Sequence, residues 1–523
     1  MSTHLTAGGA PGRRPRVAWL LRVNRLLGTD PAFRSLPAFA TAFHGGCYDR
    51  EVSVSTLSRW ETARTAVPWA AVRRYEELLG LPRNLLTATA RTVWRYLAPA
   101  PVLDTAPVTT GEDLLEDLLE QALSGAVLTG EDWDRIADGL CARPDVVLMP
   151  SGTWYGLAER LVEEMVIADD LPWMLRFETL NRLLNHPRGG RTVVLACAEL
   201  AAGRSRATAT EIVCALDNCG HPDAAGRVLA ELTDPSGPLA HRGAVMACFR
   251  KVGYRHFDRG QLRTLVHALC DSAGTGPVAD QVDPLRRWLA RAHPEHARTL
   301  LGGRGTAPPP TRPRDSAAGL LTPAVRRVTA PVRAMEPDLV PDTTVAHALV
   351  AETLTSPVFD VRLYAAFLLA ATPYREPLAD AVAAELARPS SLRHEELAVP
   401  LLEALRILGD RRHRALLKAL AVRPGVPRRT AYVAVRALGH VAADDADSGF
   451  LRTAVAHHHT AWRLTRDPVS AATVESLVYA LGMAARDDLL AEIRSDPGFL
   501  PTARTAAAGW LAIPGHRRAS ALR

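Results

Sequence analysis

Lysine is nearly absent from this 523-residue chain: Lys251 and Lys418 are the only two, so arginine supplies almost all of its 62 basic residues. Runs that alternate β-branched and aromatic residues between Asn-Gly or Asp-Gly turns are missing, which excludes a sheet-based architecture and leaves a nearly all-α fold. No stretch of eighteen apolar residues occurs, and Met1 to Arg16 is small, polar and basic without the apolar core of a signal peptide. The expected location is therefore the cytoplasm, with no membrane partner. Seven cysteines, odd in number and scattered, do not look like a disulfide framework and read as reduced core residues. P-loop, Gly-x-Gly-x-x-Gly, Gly-x-Ser-x-Gly and His-Glu-x-x-His sequences do not occur. An enzymatic reading has no constellation to rest on, and no catalytic residue, cofactor or metal is expected.

Two clusters invite a metal reading and are set aside. Cys214, Cys219 and His221 match no standard zinc-finger spacing, and Cys214 shares an apolar helical face with Ile212, Val213 and Leu216. His457, His458 and His459 are consecutive, so on a helix they point about 100° apart and cannot chelate together. They read as an exposed helix end.

What is present is ordinary globular material, 47% hydrophobic and 23% charged, in a chain too long for a single core. Pro99 to Thr110 is rich in Pro and Thr and reads as a linker, bounding a head of residues 1–98. From Glu112 to about Leu301 apolar residues recur at helical spacing, as in Leu114, Leu115, Leu118 and Leu119. Gly302 to Asp338, with Pro308-Pro309-Pro310 and Pro313, reads as a second, exposed or disordered connection. A third segment runs from Leu339 to the last residue. There, Leu408-Gly409, Leu438-Gly439 and Leu481-Gly482 each close an Ala/Leu-rich helix, and such periods suggest stacked helix pairs. Ser356-Pro357-Val358-Phe359-Asp360-Val361-Arg362, followed by Ala365, Ala366, Leu368 and Leu369, resembles the HEAT-repeat pattern. Its proline breaks entry to the second helix, and its Asp and Arg link neighbouring repeats. The expected body is a HEAT-like α-solenoid, against an irregular helical bundle.

Charge is unevenly placed. Residues 1–98 carry fourteen arginines against six acids, a balance of +8, while the whole chain is +6, leaving the remainder near −2. Positive charge confined to one small module suits a phosphate-backbone footprint, because neutralised phosphates release condensed counterions. A solvated basic face is the competing explanation. Within this module lies Ser53-Val54-Ser55-Thr56-Leu57-Ser58-Arg59-Trp60-Glu61. Ser53 is a suitable N-cap, and Leu57 and Trp60 fall on one helical face. The outer face is small, polar and tipped by arginine, as a helix entering the major groove requires.

This stretch resembles the recognition helix of the Xre family, the phage-repressor-like helix-turn-helix proteins, whose pattern here reads approximately Val-Ser-x-Ser-x-Ile-Ser-Arg-Trp-Glu. Val17 to Leu27 would be the first helix, Leu36 to Phe43 the second, and Val67-Pro68-Trp69 to Leu79-Gly80-Leu81-Pro82 the closing one. The resemblance covers residues 16 to 83. The chain departs from the family in the long His44 to Val52 loop and in lacking a glutamine at the start of the second helix, where Pro37 stands nearby. The scarcity of lysine and abundance of alanine suggest a GC-rich genome such as an actinobacterium's. The resemblance implies base contacts from Val54, Ser55 and Arg59, and phosphate contacts near Ser53, Thr56 and Ser58. Arg64, Arg73, Arg74 and Arg83 are candidate phosphate clamps. For Arg59 the alternative is a surface pair with Glu61 or Glu76.

The implied function is a sequence-specific transcriptional regulator whose partner is double-stranded DNA. Two-fold half-sites favour a homodimer, with the helical body dimerising and receiving a protein or small-molecule effector. The other reading is a helical-repeat protein-interaction scaffold with the head as a docking module.

Overall fold

The computed structural model describes residues 12–97, 111–150, 152–203, 209–271, 279–302, 313–335, 338, 340, 343–441 and 447–523. Among them every regular element is helical, and the one β-type pairing is an isolated bridge between Gly45 and Tyr48. No helix among the described residues is long and apolar enough to cross a membrane. The fold is all-α, built of helices stacked in consecutive pairs. The first linker, 99–111, lies outside the described residues except for Gly111.

The chain divides into two compact units, and neither is continuous in sequence. Residues 1–98 join 312–442, and residues 99–311 join 443–523. These units cut across the sequence-order division into a head, a middle segment and a third segment.

In the first unit the N-terminal helices are α1 (Arg13–Leu27), α2 (Leu36–Phe43), α3 (Val54–Glu61), α4 (Trp69–Leu78) and α5 (Leu85–Tyr96), with a 3-10 turn at Pro31–Arg34. The first helix begins four residues before its expected start at Val17. Pro37 does not disturb α2: it sits in the first turn, where a backbone N–H would lack a helical partner anyway. The helix α5 had no counterpart in the sequence reading. It is buried on nearly all sides, from Leu86 through Val93 and on to Tyr96, because it is sandwiched between α1 and the repeat helices. Tyr96 meets Tyr364 with ring centroids 4.3 Å apart. Trp19 of α1 stacks on Tyr374 at 6.4 Å, and the Asn24 amide donates to the Ala371 carbonyl at 2.9 Å. Arg16 forms a buried bidentate pair with Glu352, both bonds 2.7 Å.

Those partners belong to pairs such as Thr344–Thr355 with Phe359–Ala370 and Arg375–Leu386 with Glu395–Leu408. The break between the first two falls at Ser356 to Val358, where Pro357 was expected to interrupt the helix. Arg362 links successive pairs, donating to Glu403 at 2.8 Å and to the Ser356 carbonyl at 2.8 Å.

The expected second connection is corrected in part. Within it lies a 22-residue helix, Pro313–Ala334, whose Ala324, Val325, Val328, Thr329 and Val332 are buried. That stripe recurs every four residues, and the surface it buries outweighs the two internal prolines, Pro323 and Pro331. Composition averaged over the segment hid the period.

The second unit contains helix pairs from Glu112–Ser124 to Ala279–Ala292, and then Asp447–Thr465, Pro468–Met483 and later helices. Its last helix, Gly515–Ala521, packs on Thr153–Met165. The Leu128 N–H donates to Ser520 Oγ at 3.0 Å, and the Gly130 N–H to the Arg523 carbonyl at 2.9 Å. Glu164 sits fully buried between Arg160 (2.8 Å) and Arg176 (3.3 Å), and accepts from Trp133 Nε1 at 2.7 Å.

Three smaller expectations are corrected. Gly482 does not end its helix, which continues to Met483; a Cβ there would collide with the Trp510 ring, so the glycine permits close helix approach. The histidine triplet lies inside the Asp447–Thr465 helix: His458 and His459 are buried, and His459 stacks 4.0 Å from Phe499. Of the seven cysteines, Cys47 and Cys270 are exposed. Cys219 instead donates to the Leu184 carbonyl, and His221 caps the Pro222–Thr233 helix through the Asp223 N–H.

Candidate nucleic-acid interface

A serine hydroxyl starts α3. Ser53 Oγ accepts the Thr56 N–H at 3.2 Å and lies 2.9 Å from Thr56 Oγ1 and 3.1 Å from Ser55 Oγ, satisfying a donor the first turn leaves orphaned. Leu57, Trp60 and Glu61 turn inward. Val54 (40% exposed), Ser55 and Arg59 face water, with Thr56 and Ser58 half-buried beside them. Arg59 folds back along its own helix, donating to the Ser55 carbonyl at 3.3 Å and Thr56 Oγ1 at 3.4 Å. Both bonds are long for N–H···O and are readily exchanged for a better acceptor.

The acids weighed as surface partners for Arg59 are engaged elsewhere. Glu61 accepts a bidentate pair from Arg25, both bonds 2.7 Å, and a third bond from the Tyr75 hydroxyl at 2.9 Å, all buried. Burial and the neighbouring Glu61 carboxylate push the Tyr75 phenol well above its ordinary value, so it stays a donor. Glu76 accepts the Asn84 N–H at 2.9 Å and the Thr87 N–H at 2.6 Å, capping the start of α5. Around Trp60 the rings of Phe43 (5.9 Å) and Tyr48 (6.4 Å) pack at steep angles, and Phe39 and Tyr75 continue the cluster. These contacts fix the rotation of α3, so its outer face is set from within.

The long His44 to Val52 loop is an ordered tether. Gly45 and Gly46 adopt φ of +109° and +59°, and a Cβ on Gly46 would strike the Arg74–Glu77 pair. Arg74 donates to the carbonyls of Phe43 and Ala42 at 2.9 Å each and to Glu77 at 2.9 Å, so it closes the carboxyl end of α2. Glu77 also receives the Cys47 N–H at 3.2 Å. Partial burial and Glu77 push the Cys47 thiol up to about 12, which keeps it protonated and a poor nucleophile although the residue reaches the surface.

The candidate arginines therefore divide. Arg64 is exposed just past α3, following Ala63 at φ +61°, and Arg83 is exposed before α5. Arg73 is half-buried on α4, and Arg74 is held in the loop as described. Much of the positive charge of this region is turned inward, since Arg16, Arg25, Arg91 and Arg95 are all buried. Pairing distances of 36 and 336 residues, as for Arg25–Glu61 and Arg16–Glu352, leave no local signal.

Beside the buried end of α3 lies a feature the sequence reading did not single out. A cleft of about 110 Å³ is lined by Trp60, Trp69 and Trp94, with Val17 and Val67 in its walls and Arg14 at its edge. Trp69 and Trp94 meet edge to face at 6.4 Å. The Arg13 guanidinium lies 4.1 Å from the Trp94 ring centre, and that of Arg91 lies 5.5 Å from Trp69. Tryptophan at the start of one helix and near the end of the next was the available signal.

The chain matches no protein-family model, and no curated protein matches it.

Proposed function

We propose that this protein is a sequence-specific DNA-binding transcriptional regulator that reads the major groove with the outer face of α3. The observation that carries the reading is the division of that helix. Leu57, Trp60 and Glu61 are locked into the interior, while Val54, Ser55 and Arg59 form an exposed surface of small side chains and one long cation. Small residues at the N-terminal end admit the helix to the groove floor, and an arginine that has no acidic partner among the described residues can bond guanine O6 and N7. Ser53, Thr56 and Ser58 then stand where hydroxyls and the helix N-terminus meet phosphate. Arg64 and Arg73 add backbone charge, and Arg74 positions the loop. The helical body dimerises the protein so that two heads address half-sites one turn apart.

The test is fluorescence polarisation of the whole chain against a genomic fragment pool, followed by salt series on selected and scrambled duplexes. Saturable binding that weakens with salt and prefers one sequence is expected. Absence of duplex binding by folded protein overturns the reading and leaves the helical-repeat scaffold.

A further inference from the structure

We propose that the tryptophan-lined cleft of the first unit is a binding site for a small, single-ring aromatic anion. Size comes first. An enclosed volume of about 150 Å³ accepts a benzene ring, and this cleft offers about 110 Å³ with an open side, so one ring fits and a fused system protrudes. Its walls come next: Trp60, Trp69 and Trp94 with Val17 and Val67 present apolar and ring surface suited to a flat apolar body. Charge decides the rest. No carboxylate lines the cleft; Arg14 stands at its edge, exposed and, among the described residues, without an acidic partner. Arg13 and Arg91 already lie against Trp94 and Trp69, so their cations occupy ring faces that an aromatic cage would offer to a cationic ligand. Among the residues that line the cleft Arg14 carries the one charged side chain, so a ligand carboxylate gains an ion pair where a ligand cation is repelled.

The cleft also touches the connection from α3 to α4. Val67 lines it, and the Arg64 and Thr65 N–H groups bond the Arg59 carbonyl, at 2.9 and 3.3 Å. A bound ring therefore alters the seat of Arg59 and Arg64. That effect on DNA rests on the proposed function; the binding itself does not.

The experiment is isothermal titration calorimetry of the whole chain, without DNA, against benzoate, benzyl alcohol and benzylamine. Benzoate binding is expected, with benzyl alcohol weaker by about tenfold because it lacks the charge-assisted bond, and no heat from benzylamine. Arg14→Glu, a change at an exposed side chain, lowers benzoate affinity by at least about tenfold while the circular dichroism spectrum stays unchanged. Trp94→Leu abolishes binding, with thermal melting as the check on folding. Benzylamine binding as tightly as benzoate, or no benzoate heat at concentrations on the order of 10 mM, overturns the proposal. A second arm repeats the duplex titration with benzoate. Benzoate binding without any DNA binding leaves the cleft standing and removes the regulator; DNA binding without benzoate binding does the reverse.

Discussion

Residues 59, 60 and 61 stand side by side and do three different jobs. Trp60→Ala opens the ring cluster around Phe43 and Tyr48 and is expected to destabilise the first unit by roughly 3–5 kcal/mol. Glu61→Ala strands the Arg25 guanidinium in the interior and is expected to cost about 3–5 kcal/mol. Arg59→Ala leaves stability within about 0.5 kcal/mol of wild type, as an exposed substitution should. Urea denaturation of the three variants checks this order, and equal losses at 59 and 60 would show the helix rotated from its described setting. On cognate duplex, Arg59→Ala is expected to weaken binding by about 1–3 kcal/mol and to relax selectivity at one base pair per half-site, with little change on random DNA. Polarisation on both duplexes reads the ratio, and an unchanged ratio rejects base reading by Arg59. The burial of Leu57 and Trp60 was legible from their three-residue spacing. The fate of Glu61 was not, because its partner lies 36 residues away. Nor could the sequence separate Arg74 from Arg73, neighbours of identical chemistry of which one is drawn into a loop by carbonyls more than thirty residues back.

Helices carried their own signals unequally. The amphipathic α3 and the Ser356 break between repeat helices were readable, since a cap, a stripe or a proline marks each locally. The helix α5 was passed over although its sequence is amphipathic: its polar residues Thr87, Arg91, Thr92 and Arg95 are buried along with Leu86, Ala90 and Val93, and nothing in the sequence announces that a polar face will be covered. The same burial bears on cutting the chain. A fragment of residues 1–98 bares the outer sides of α1 and α5, including Arg16, Trp19, Asn24 and Tyr96, which are covered by residues 352, 374, 371 and 364. Such a fragment is expected to be largely unfolded and protease-sensitive, whereas the whole chain resists cleavage between residues 13 and 97. A sharp melting transition for the fragment would show the head to be autonomous. At the end of α3, Ala63 holds a left-handed conformation that glycine adopts without strain. Ala63→Gly is expected to raise the melting temperature slightly, by up to about 1 kcal/mol of stability.

Across the whole molecule, buried and half-buried histidines contribute a pH dependence. Burial holds His186, His241, His256 and His459 in the second unit, and His347 in the first, below the ordinary imidazole value; for His256, with Lys251 and Arg250 nearby, the value falls to about 4. The unfolded chain therefore takes up protons before the folded one does. Stability from these groups is complete above about pH 6.5 and is lost as pH falls toward 4. Glu76 works the other way, since burial pushes its carboxyl up to about 7 and it gains stability as pH falls below that. The histidine contribution is therefore read in a Glu76→Gln background, where the melting temperature should decline between about pH 6.5 and 4.5; a flat profile there contradicts the assignment. The repeat-like, all-helical character of the body was legible from spacing and from the lack of strand signals. Its partition was not, since nothing local announces that residues 1–98 and 312–442 share one core.

That interleaving has a consequence during synthesis. A ribosome releases the chain in order, so the first five helices emerge about 340 residues before the last helices that complete their unit. At roughly 5–20 residues per second the wait is on the order of half a minute. For most of it, until residues 364 and 374 have been made, the rings of Tyr96 and Trp19 lack the partners they pack against in the finished unit. The nascent protein is thus a natural client for a chaperone that shields apolar helices until residue 442 has been made, and yield in a cell should track chaperone supply more steeply than the stability of the finished fold implies.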